Sequence, residues 1–574
     1  MVLSLVDLCA KEVVRDHSSS PSWLCCVPRE LYDALLRAAC SGGRPLAVGE
    51  LVQRWPERRL KVGDRRISGL NPPNRLCIQA LLLAVVRGLS DHRSMLQVLD
   101  LCGLQRDEGG DPMGGWSLTV ALCSMLVQAR AGVQARREGG LARRDGEGER
   151  KRVLALERER EGAKRERAPR KREREGEGEG EVTMETNGGE GRGAGGTEEE
   201  LLKGVRRRME QERRRGGGGG GRGRGGGGGG SGGEESSSSR EGSQEVLLQV
   251  RADLFVNARS WERVRTALSG PDPLRLSCRF LRVEELSVSN TRRLLELAPP
   301  RGLLGVDLRY SSLGMEGLAS LLPLLASFPA LGSLRLHYCN LELRGDAAGQ
   351  EEVLKEVALG LSRLPELRRL SLTALRLPGH LRLLLSSLAR PLHVLELPYL
   401  SLSPADLAFL SCSHHASSLQ RLDLSENRLD ASSLPSVRRL LSSASSSLLH
   451  LTLSGCGLTD GLLGALLPSV TCCRALRSLG LALNPLSLAG LTRLVKGALG
   501  MASLRHLLYP NALEEYQPGL PELPSSAQLL DWPLDELQDA SATSSQLHRL
   551  VREAGRTDLV LTCDLLNYHH DLLD

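Results

Sequence analysis

The residue types that most often carry out chemistry are scattered in this chain and form no recognisable catalytic or metal-binding pattern. Cys412, His414 and His415 lie close together, but no second pair of ligands stands at the spacing of a zinc site. His569 and His570, near the end of the chain, are equally isolated. The long glycine run does not end in the Gly-Lys-Ser/Thr of a phosphate-binding loop. The sequence therefore predicts a protein that is not an enzyme and that carries no metal or cofactor.

A first short pattern near the amino terminus has the spacing of a helix face that docks onto another protein. Ser4 is followed by Leu5, Cys9 and Val13, which succeed one another at i+4 steps. On a helix these three residues form one narrow apolar stripe, and the small Cys9 permits the close approach of a groove on a partner. The alternative is that the stripe is buried in a cap at the amino end of the protein.

A second pattern follows after a short polar gap and consists of Val27, Pro28, Leu31 and Leu35. Pro28 suits the first turn of a helix, where its missing backbone donor is not needed. Leu31 and Leu35 then share one face of that helix. The same alternative applies here, because this face could also serve as internal packing.

The elements that would position a binding site are predicted by a frame, Leu-x-x-Leu-x-Leu-x-x-Asn/Cys-x-Leu, which recurs through the second half of the chain. Its clearest copy has Leu419, Leu422, Leu424, Asn427 and Leu429. Leucines at alternate positions put one face of a strand into a core, while the Asn or Cys satisfies backbone groups at the turn. Repeats of about 25 to 36 residues leave room for a helix after each strand. We therefore predict an α/β fold, a ribonuclease-inhibitor-like leucine-rich-repeat horseshoe with a curved parallel sheet inside and helices outside.

The residues between the leucines would face the concave side of such a sheet, where a partner could bind. Tyrosine and arginine are notable there, because the chain has only 3% aromatic residues and both types are common anchors of protein interfaces. The alternative for the tyrosines is that they only cap the edges of the repeats. The candidate residues of a partner-binding concave face are Arg309, Tyr310, Arg335, His337, Tyr338, Tyr399 and Glu426.

Changes in composition divide the 574 residues into four regions. The first is mostly helical with one strand-like unit at Leu96-x-x-Leu99-x-Leu101, the third contains the repeats, and the fourth is a C-terminal cap. The second is rich in Arg, Glu and Gly and has almost nothing to bury, which predicts a disordered insertion. This insertion lacks the interleaved aromatic residues of RNA-binding segments, so nucleic acid is not the expected partner. The regions are residues 1–130, 131–244, 245–510 and 511–574.

Features of the chain that bear on its compartment favour the cell interior. No apolar run approaches the length of a membrane span, and Asp7, Lys11 and Glu12 stand where a secretion signal would need apolar residues. The 14 cysteines are scattered and read as reduced, mostly buried small residues. We therefore expect a cytoplasmic protein without membrane contact, and the sequence leaves additional nuclear residence open.

Six spaced motifs of the ordered regions carry a family likeness. They are Val27-Pro28-Arg29-Glu30-Leu31-Tyr32, Trp55-Pro56, Leu99-Asp100-Leu101, Ala252-Asp253-Leu254-Phe255-Val256, Val306-Asp307-Leu308-Arg309 and Leu334-Arg335-Leu336-His337-Tyr338. Together they resemble the PRAME family, and within it the subgroup of leucine-rich repeat-containing protein fourteen. The likeness covers essentially the whole chain outside 131–244, where relatives have only a short linker.

The resemblance implies the substrate-recognition adaptor of a cullin-2–elongin B/C RING ubiquitin ligase. In that family the first pattern, from Ser4 to Val13, would be the box that binds elongin C, and the second, from Val27 to Leu35, the box that binds cullin 2. The repeats would hold a protein target that the sequence does not identify. The family likeness leaves a second role open, that of a non-enzymatic negative regulator of innate immune (NF-κB/Toll-like receptor) signalling or of transcription, which masks a protein partner.

Overall fold

The repeated leucines form the strands of one continuous parallel sheet. The structure is a computed structural model that describes residues 4–15, 26–62, 74–90, 95–104, 117–132, 134, 248–270, 274–341, 347–375, 378–535 and 540–565. Within these residues thirteen strands lie side by side in the order of the chain. Neighbouring strands are parallel throughout, as the helical crossovers between them require. The predicted α/β leucine-rich-repeat fold is confirmed.

The thirteen strands differ in length: the longest lie in the middle of the chain, whereas the last six have three residues each and are centred on a single inward-facing leucine. They are β1 (Arg59–Lys61), β2 (Val98–Asp100), β3 (Leu248–Asn257), β4 (Leu274–Glu284), β5 (Gly305–Arg309), β6 (Ser333–His337), β7 (Arg369–Thr373), β8 (Val394–Glu396), β9 (Arg421–Asp423), β10 (His450–Thr452), β11 (Ser478–Gly480), β12 (His506–Leu508) and β13 (Val560–Thr562).

The helices cover the leucine face of the sheet, and helices of successive repeats pack on one another. They are α1 (Leu5–Val13), α2 (Tyr32–Ser41), α3 (Pro45–Gln53), α4 (Arg75–Ser90), α5 (118–132), α6 (Trp261–Ser269), α7 (Val288–Leu297), α8 (Gly314–Leu325), α9 (Ala347–Ser362), α10 (Leu381–Leu385), α11 (Pro404–Cys412), α12 (Leu434–Ser443), α13 (Asp460–Thr471), α14 (Leu488–Leu499), α15 (Ser526–Asp531) and α16 (Ala540–Glu553).

The asparagines of the frame satisfy backbone groups inside this leucine core. The Nδ2 atom of Asn427 donates to the carbonyl oxygens of Leu397 and Leu424 at 2.7 and 2.9 Å, and the residue is 1% exposed. Asn484 repeats the arrangement two turns of the solenoid later. Each asparagine therefore ties one repeat to the preceding one, and its amide replaces the water that these carbonyls lose on burial.

The sheet begins in the amino-terminal region, well before the first leucine-rich repeat that the sequence indicates. β1 pairs with β2, and β2 pairs with β3 through Val98 opposite Gln249. The strand-like unit at Leu96 to Leu101 is thus a strand, and β1 is an additional strand that the sequence pattern does not reveal. The segment 131–244, predicted to be a disordered insertion, lies outside the described residues except for 131, 132 and 134, of which the first two end α5.

Candidate functional site

The first candidate surface is α1, which begins directly after the serine of the first pattern. Ser4 is the N-cap: its Oγ accepts the backbone N–H of Asp7 at 3.1 Å and donates to the Asp7 carboxylate at 2.6 Å. These hydrogen bonds hold the pKa of Asp7 below its usual value, with a smaller contribution from Arg37 on α2. An isolated helix of this length is marginal in water, so α1 depends on its packing against the rest of the protein.

The packing of α1 on α2 uses the face opposite to the predicted docking stripe. Ala10 and Val14 are 5% and 3% exposed and belong to the protein core. Leu5 is 77% exposed, Val13 is 42% exposed and the Cys9 side chain is also on the surface. Packing of an amino-terminal cap therefore does not bury the stripe of Leu5, Cys9 and Val13, and the stripe lies on an ordered helix.

Two further apolar side chains widen this surface beyond the residues that the pattern names. Val6 and Leu8 are each 50% exposed on the same helix. Contiguous exposed apolar side chains are uncommon on monomeric proteins and mark interaction sites. The i+4 pattern missed these two residues, although their hydrophobicity next to Leu5 and Cys9 was visible in the sequence.

The second pattern is divided between the surface and the core. Pro28 precedes a short 3-10 turn and is exposed, and Leu31 in that turn is 39% exposed. Val27 is half-buried against the core, and Leu35 on α2 is only 3% exposed. The surface part of this pattern is thus Pro28 with Leu31, while Leu35 holds α2 in place.

Three of the predicted concave-face residues lie on β5 and β6, half-buried on the face opposite to the leucines. The guanidinium of Arg309 binds the Asp307 carboxylate with contacts of 2.7 and 3.0 Å. His337 Nδ1 lies 2.7 Å from Thr373 Oγ1, and burial lowers the pKa of this imidazole to about 4 despite the nearby Asp307. Arg335 lies opposite Asp307 on the neighbouring strand, and His337 lies opposite Arg309. The group is polar, and at neutral pH His337 adds no charge to it.

The other four predicted residues lie one to three residues beyond the ends of their strands, in a row with an unusual backbone conformation. In the eight repeats from β4 to β11, the residue just before the Asn/Cys position of the frame has a φ between 50° and 64°, the left-handed region that favours glycine. We call this set the rim row. Its members are Glu285, Tyr310, Tyr338, Ala374, Tyr399, Glu426, Gly455 and Leu483.

Backbone hydrogen bonds continue the sheet along the rim row. The N–H of Tyr310 donates to the carbonyl of His337 at 3.0 Å, and the N–H of Tyr399 donates to the carbonyl of Ser425 at 3.1 Å. The repeated geometry aligns neighbouring side chains: the rings of Tyr310 and Tyr338 stack with centroids 5.4 Å apart and an angle of 6° between their planes. The tyrosines do lie at repeat edges, yet they remain 55%, 44% and 48% exposed at 310, 338 and 399.

The segment that follows the last repeats contacts the rim row at Glu426. The Ser526 hydroxyl of α15 donates to the Glu426 carboxylate at 2.5 Å, across 100 residues of sequence. A Cβ at Gly455 would collide with this carboxylate, so the glycine makes room for the contact. Burial raises the pKa of Glu426, and burial together with this carboxylate raises the pKa values of Tyr338 and Tyr399.

Among the described residues no three His, Cys, Asp or Glu side chains come together as a metal site. Burial raises the pKa of Cys40 and of Cys123 to about 12, so both thiols stay protonated and unreactive at neutral pH. In the same part of the chain, no helix has the length and apolar character of a membrane span.

Comparison with known proteins gives matches over nearly the whole chain. The family models of the PRAME N-terminal domain and the PRAME C-terminal domain match residues 3–108 and 249–522. The Xenopus laevis leucine-rich repeat-containing protein 14 is 32% identical over 586 residues, covering 98% of this chain and 97% of the relative. The human protein of that name is 39% identical over 326 residues, or 56% of this chain and 66% of the relative.

A solved structure, that of a TLR13–ssRNA13 complex, is also similar at a distance. It has a TM-score of 0.29 and 19% identity to this chain, and the match covers 46% of this chain and 33% of that one.

Proposed function

Because this chain belongs to the PRAME family, with leucine-rich repeat-containing protein 14 among its relatives, we propose that it is the substrate-recognition adaptor of a cullin-2–elongin B/C RING ubiquitin ligase. The leucine-rich repeats give it a protein-binding role. In the proposal, the repeats hold the target and raise the effective concentration of its lysines near a charged ubiquitin-conjugating enzyme. All bond-making steps take place in other subunits.

The observation that carries the proposal is the exposed stripe of Leu5, Cys9 and Val13 on an ordered helix. Burying a fully exposed leucine in a groove contributes about 1.5–3 kcal/mol. The helix is already capped by Ser4 and packed through Ala10, so docking orders little additional chain. A preformed stripe of this kind is what a hydrophobic groove on elongin C would require.

The second pattern supports a smaller contact. Pro28 and Leu31 offer a limited surface to cullin 2, since Leu35 is in the core. Elongin C would therefore supply most of the binding energy, and cullin 2 would add to a complex that elongin C has already formed. This small second surface is also the observation that favours the alternative role, a regulator that masks its partner without ubiquitin.

The decisive experiment is co-purification of elongin B/C and cullin 2 with the full chain and with the double variant Leu5→Asp, Cys9→Asp. We expect recovery with the wild type and at least about a tenfold loss with the variant, because two carboxylates would have to be desolvated in an apolar groove. Both positions are exposed, so the variant keeps its fold. Lys11→Asp, on an exposed position of α1, is the matched control with the same change in charge.

The control should recover elongin B/C as the wild type does. Failure of the wild type to recover elongin B/C would reject the adaptor proposal. If, in a signalling assay, the double variant then acts as the wild type does, the masking role would stand in its place.

A further inference from the structure

The rim row has a gap in its series of tyrosines. From β4 to β9 the side chains of the row read Glu285, Tyr310, Tyr338, Ala374, Tyr399 and Glu426. Ala374 has the same left-handed backbone as its neighbours, with φ of 58°, but carries no ring. The rings of Tyr338 and Tyr399 are therefore on rungs separated by one empty rung.

The width of this gap suits one flat group. Tyr310 and Tyr338 show the spacing of adjacent rungs, because their parallel rings are 5.4 Å apart. Two strand spacings separate Tyr338 from Tyr399, which is about 10 Å. A planar cation midway between them would lie about 5 Å from each ring, within the range of about 6 Å over which cations are attracted to aromatic faces.

The charge around the gap favours a cation. The series of exposed tyrosines is bounded by two carboxylates, Glu285 and Glu426, and the row itself contains no basic residue. Burial raises the pKa values of Tyr338 and Tyr399, and the Glu426 carboxylate adds to both rises. The phosphates of a nucleic acid would be repelled here, although its bases could stack on tyrosine.

We propose that the space above Ala374, between Tyr338 and Tyr399, is a slot for an arginine side chain of a partner protein. A guanidinium is planar and stacks on aromatic rings, whereas the ammonium of lysine is compact and strongly hydrated. Glu426, on the next rung, provides a carboxylate for the guanidinium edge. The proposal deepens the target-binding part of the proposed function and rests on it only in identifying this partner as the target.

The test measures binding of fluorescein-labelled peptides to the full chain by polarisation at physiological salt. The peptides carry arginines spaced by Gly and Ser, and matched versions carry lysine or the neutral isostere citrulline. We expect the arginine peptide to bind at least about tenfold more tightly than either version, the gain of cation–π contact with two rings. Equal binding of the arginine and lysine peptides would indicate charge attraction alone and overturn the proposal.

Variants within the row locate the site. Ala374→Tyr fills the empty rung with the residue that this backbone already accepts at three other rungs, and it should abolish the preference for arginine. Tyr338→Asn and Tyr399→Asn remove one wall each, and asparagine tolerates a positive φ, so the fold is kept. Tyr310→Asn is the comparison outside the slot: it removes only the ring that stacks on the far side of Tyr338, so it should weaken binding less than Tyr338→Asn does.

Two results of this series would reject the slot. One is an arginine preference that survives Ala374→Tyr, and the other is an equal loss with Tyr310→Asn. The Leu5→Asp, Cys9→Asp variant should bind the arginine peptide as the wild type does, and Ala374→Tyr should still recover elongin B/C. The adaptor proposal and the arginine-slot proposal can therefore fail independently of each other.

Discussion

Tyr310, Tyr338 and Tyr399 occupy a backbone conformation that costs a residue other than glycine about 1 kcal/mol or more. The cost is offset because each amide in this conformation donates to a carbonyl of the following repeat. The backbone of the rim row is thus set by the sheet, and the side chains at these positions are free to vary without altering it. Substitutions in the rim row can therefore change what the surface binds without changing the core.

His337 links the polar face of β6 to the stability of the protein. Its pKa is lowered to about 4 by burial, so the folded protein keeps the imidazole neutral, while the unfolded chain takes up a proton below about 6.5. The contribution of neutral His337 to the stability of the folded protein is complete above pH 6.5 and is lost as the pH falls toward 4. The difference in pKa corresponds to on the order of 3 kcal/mol.

We predict that His337→Asn reduces the loss of stability between pH 6.5 and 4, because asparagine does not titrate. The measurement is denaturant unfolding of both proteins across this range. Asp423, whose pKa burial raises to about 6, favours the folded state as the pH falls. It does so in both the wild type and the variant, so its effect cancels when their stabilities are compared. The same pH dependence in the wild type and the variant would contradict the assignment.

At the scale of the element, α1 presents two faces with separate tasks. One face packs on α2 through Ala10 and Val14, and the other exposes Leu5 and Val13. The ion pair between Asp7 and Arg37, with its atoms 3.6 Å apart, is at the surface and adds little to this packing. The helix is therefore held mainly by two small apolar side chains.

Replacing the adjacent residues Val13 and Val14 by aspartate, one at a time, tests this division between the two faces of α1. Val14→Asp places a carboxylate in the core, and we predict a loss of about 3 kcal/mol in the stability of the α1–α2 packing. Val13→Asp should change that stability by less than about 0.5 kcal/mol while weakening the recovery of elongin C. Hydrogen exchange of the α1 amides reports the packing. Equal protection in the two variants would show that the faces are not separate.

At the scale of the whole molecule, contacts far apart in sequence join the amino-terminal region to the repeats. The Gly103 N–H donates to the Asp253 carboxylate at 2.7 Å, and the Phe255 N–H donates to Thr119 Oγ1 at 2.9 Å. On α5, Arg130 donates to the carbonyls of Ala267 and Leu274 at 2.6 Å each. Together with the pairing of β2 and β3, these hydrogen bonds join the amino-terminal region to the first repeats.

We predict that replacing residues 141–243 by a short Gly/Ser linker leaves the thermal midpoint of unfolding within about 2 °C of the wild type. The compact unit that contains the sheet is formed by Met1–Gly140 and Gln244–Asp574. The matched control is Arg130→Ala in the same shortened chain, which removes donors from buried carbonyls and should lower the midpoint by several degrees. A large drop in the thermal midpoint on shortening alone would show that residues 141–243 have a structural role.

The repeats could be predicted because their signal is local. Leu422, Leu424 and Asn427 identify a strand and its turn within a few residues, and the same spacing recurs along the chain. The strand β1 could not be predicted in this way, because a single leucine, Leu60, faces the core there. Its place in the sheet comes from pairing with β2, which lies far along the chain.

What the sequence by itself determined is the periodic part of this protein: the leucine frame, the fold that it forms, and the helical spacing of the two amino-terminal patterns. Only the tertiary structure decided which of those apolar residues remain on the surface. Leu5 and Leu35 are both leucines of the helical faces that the two patterns predict, yet the first is 77% and the second 3% exposed. Only the fold brings Ser526 to Glu426 and sets Ala374 between two tyrosines on neighbouring rungs. The reason is physical: periodicity fixes which residues share a face, whereas burial depends on what packs against that face from elsewhere in the chain.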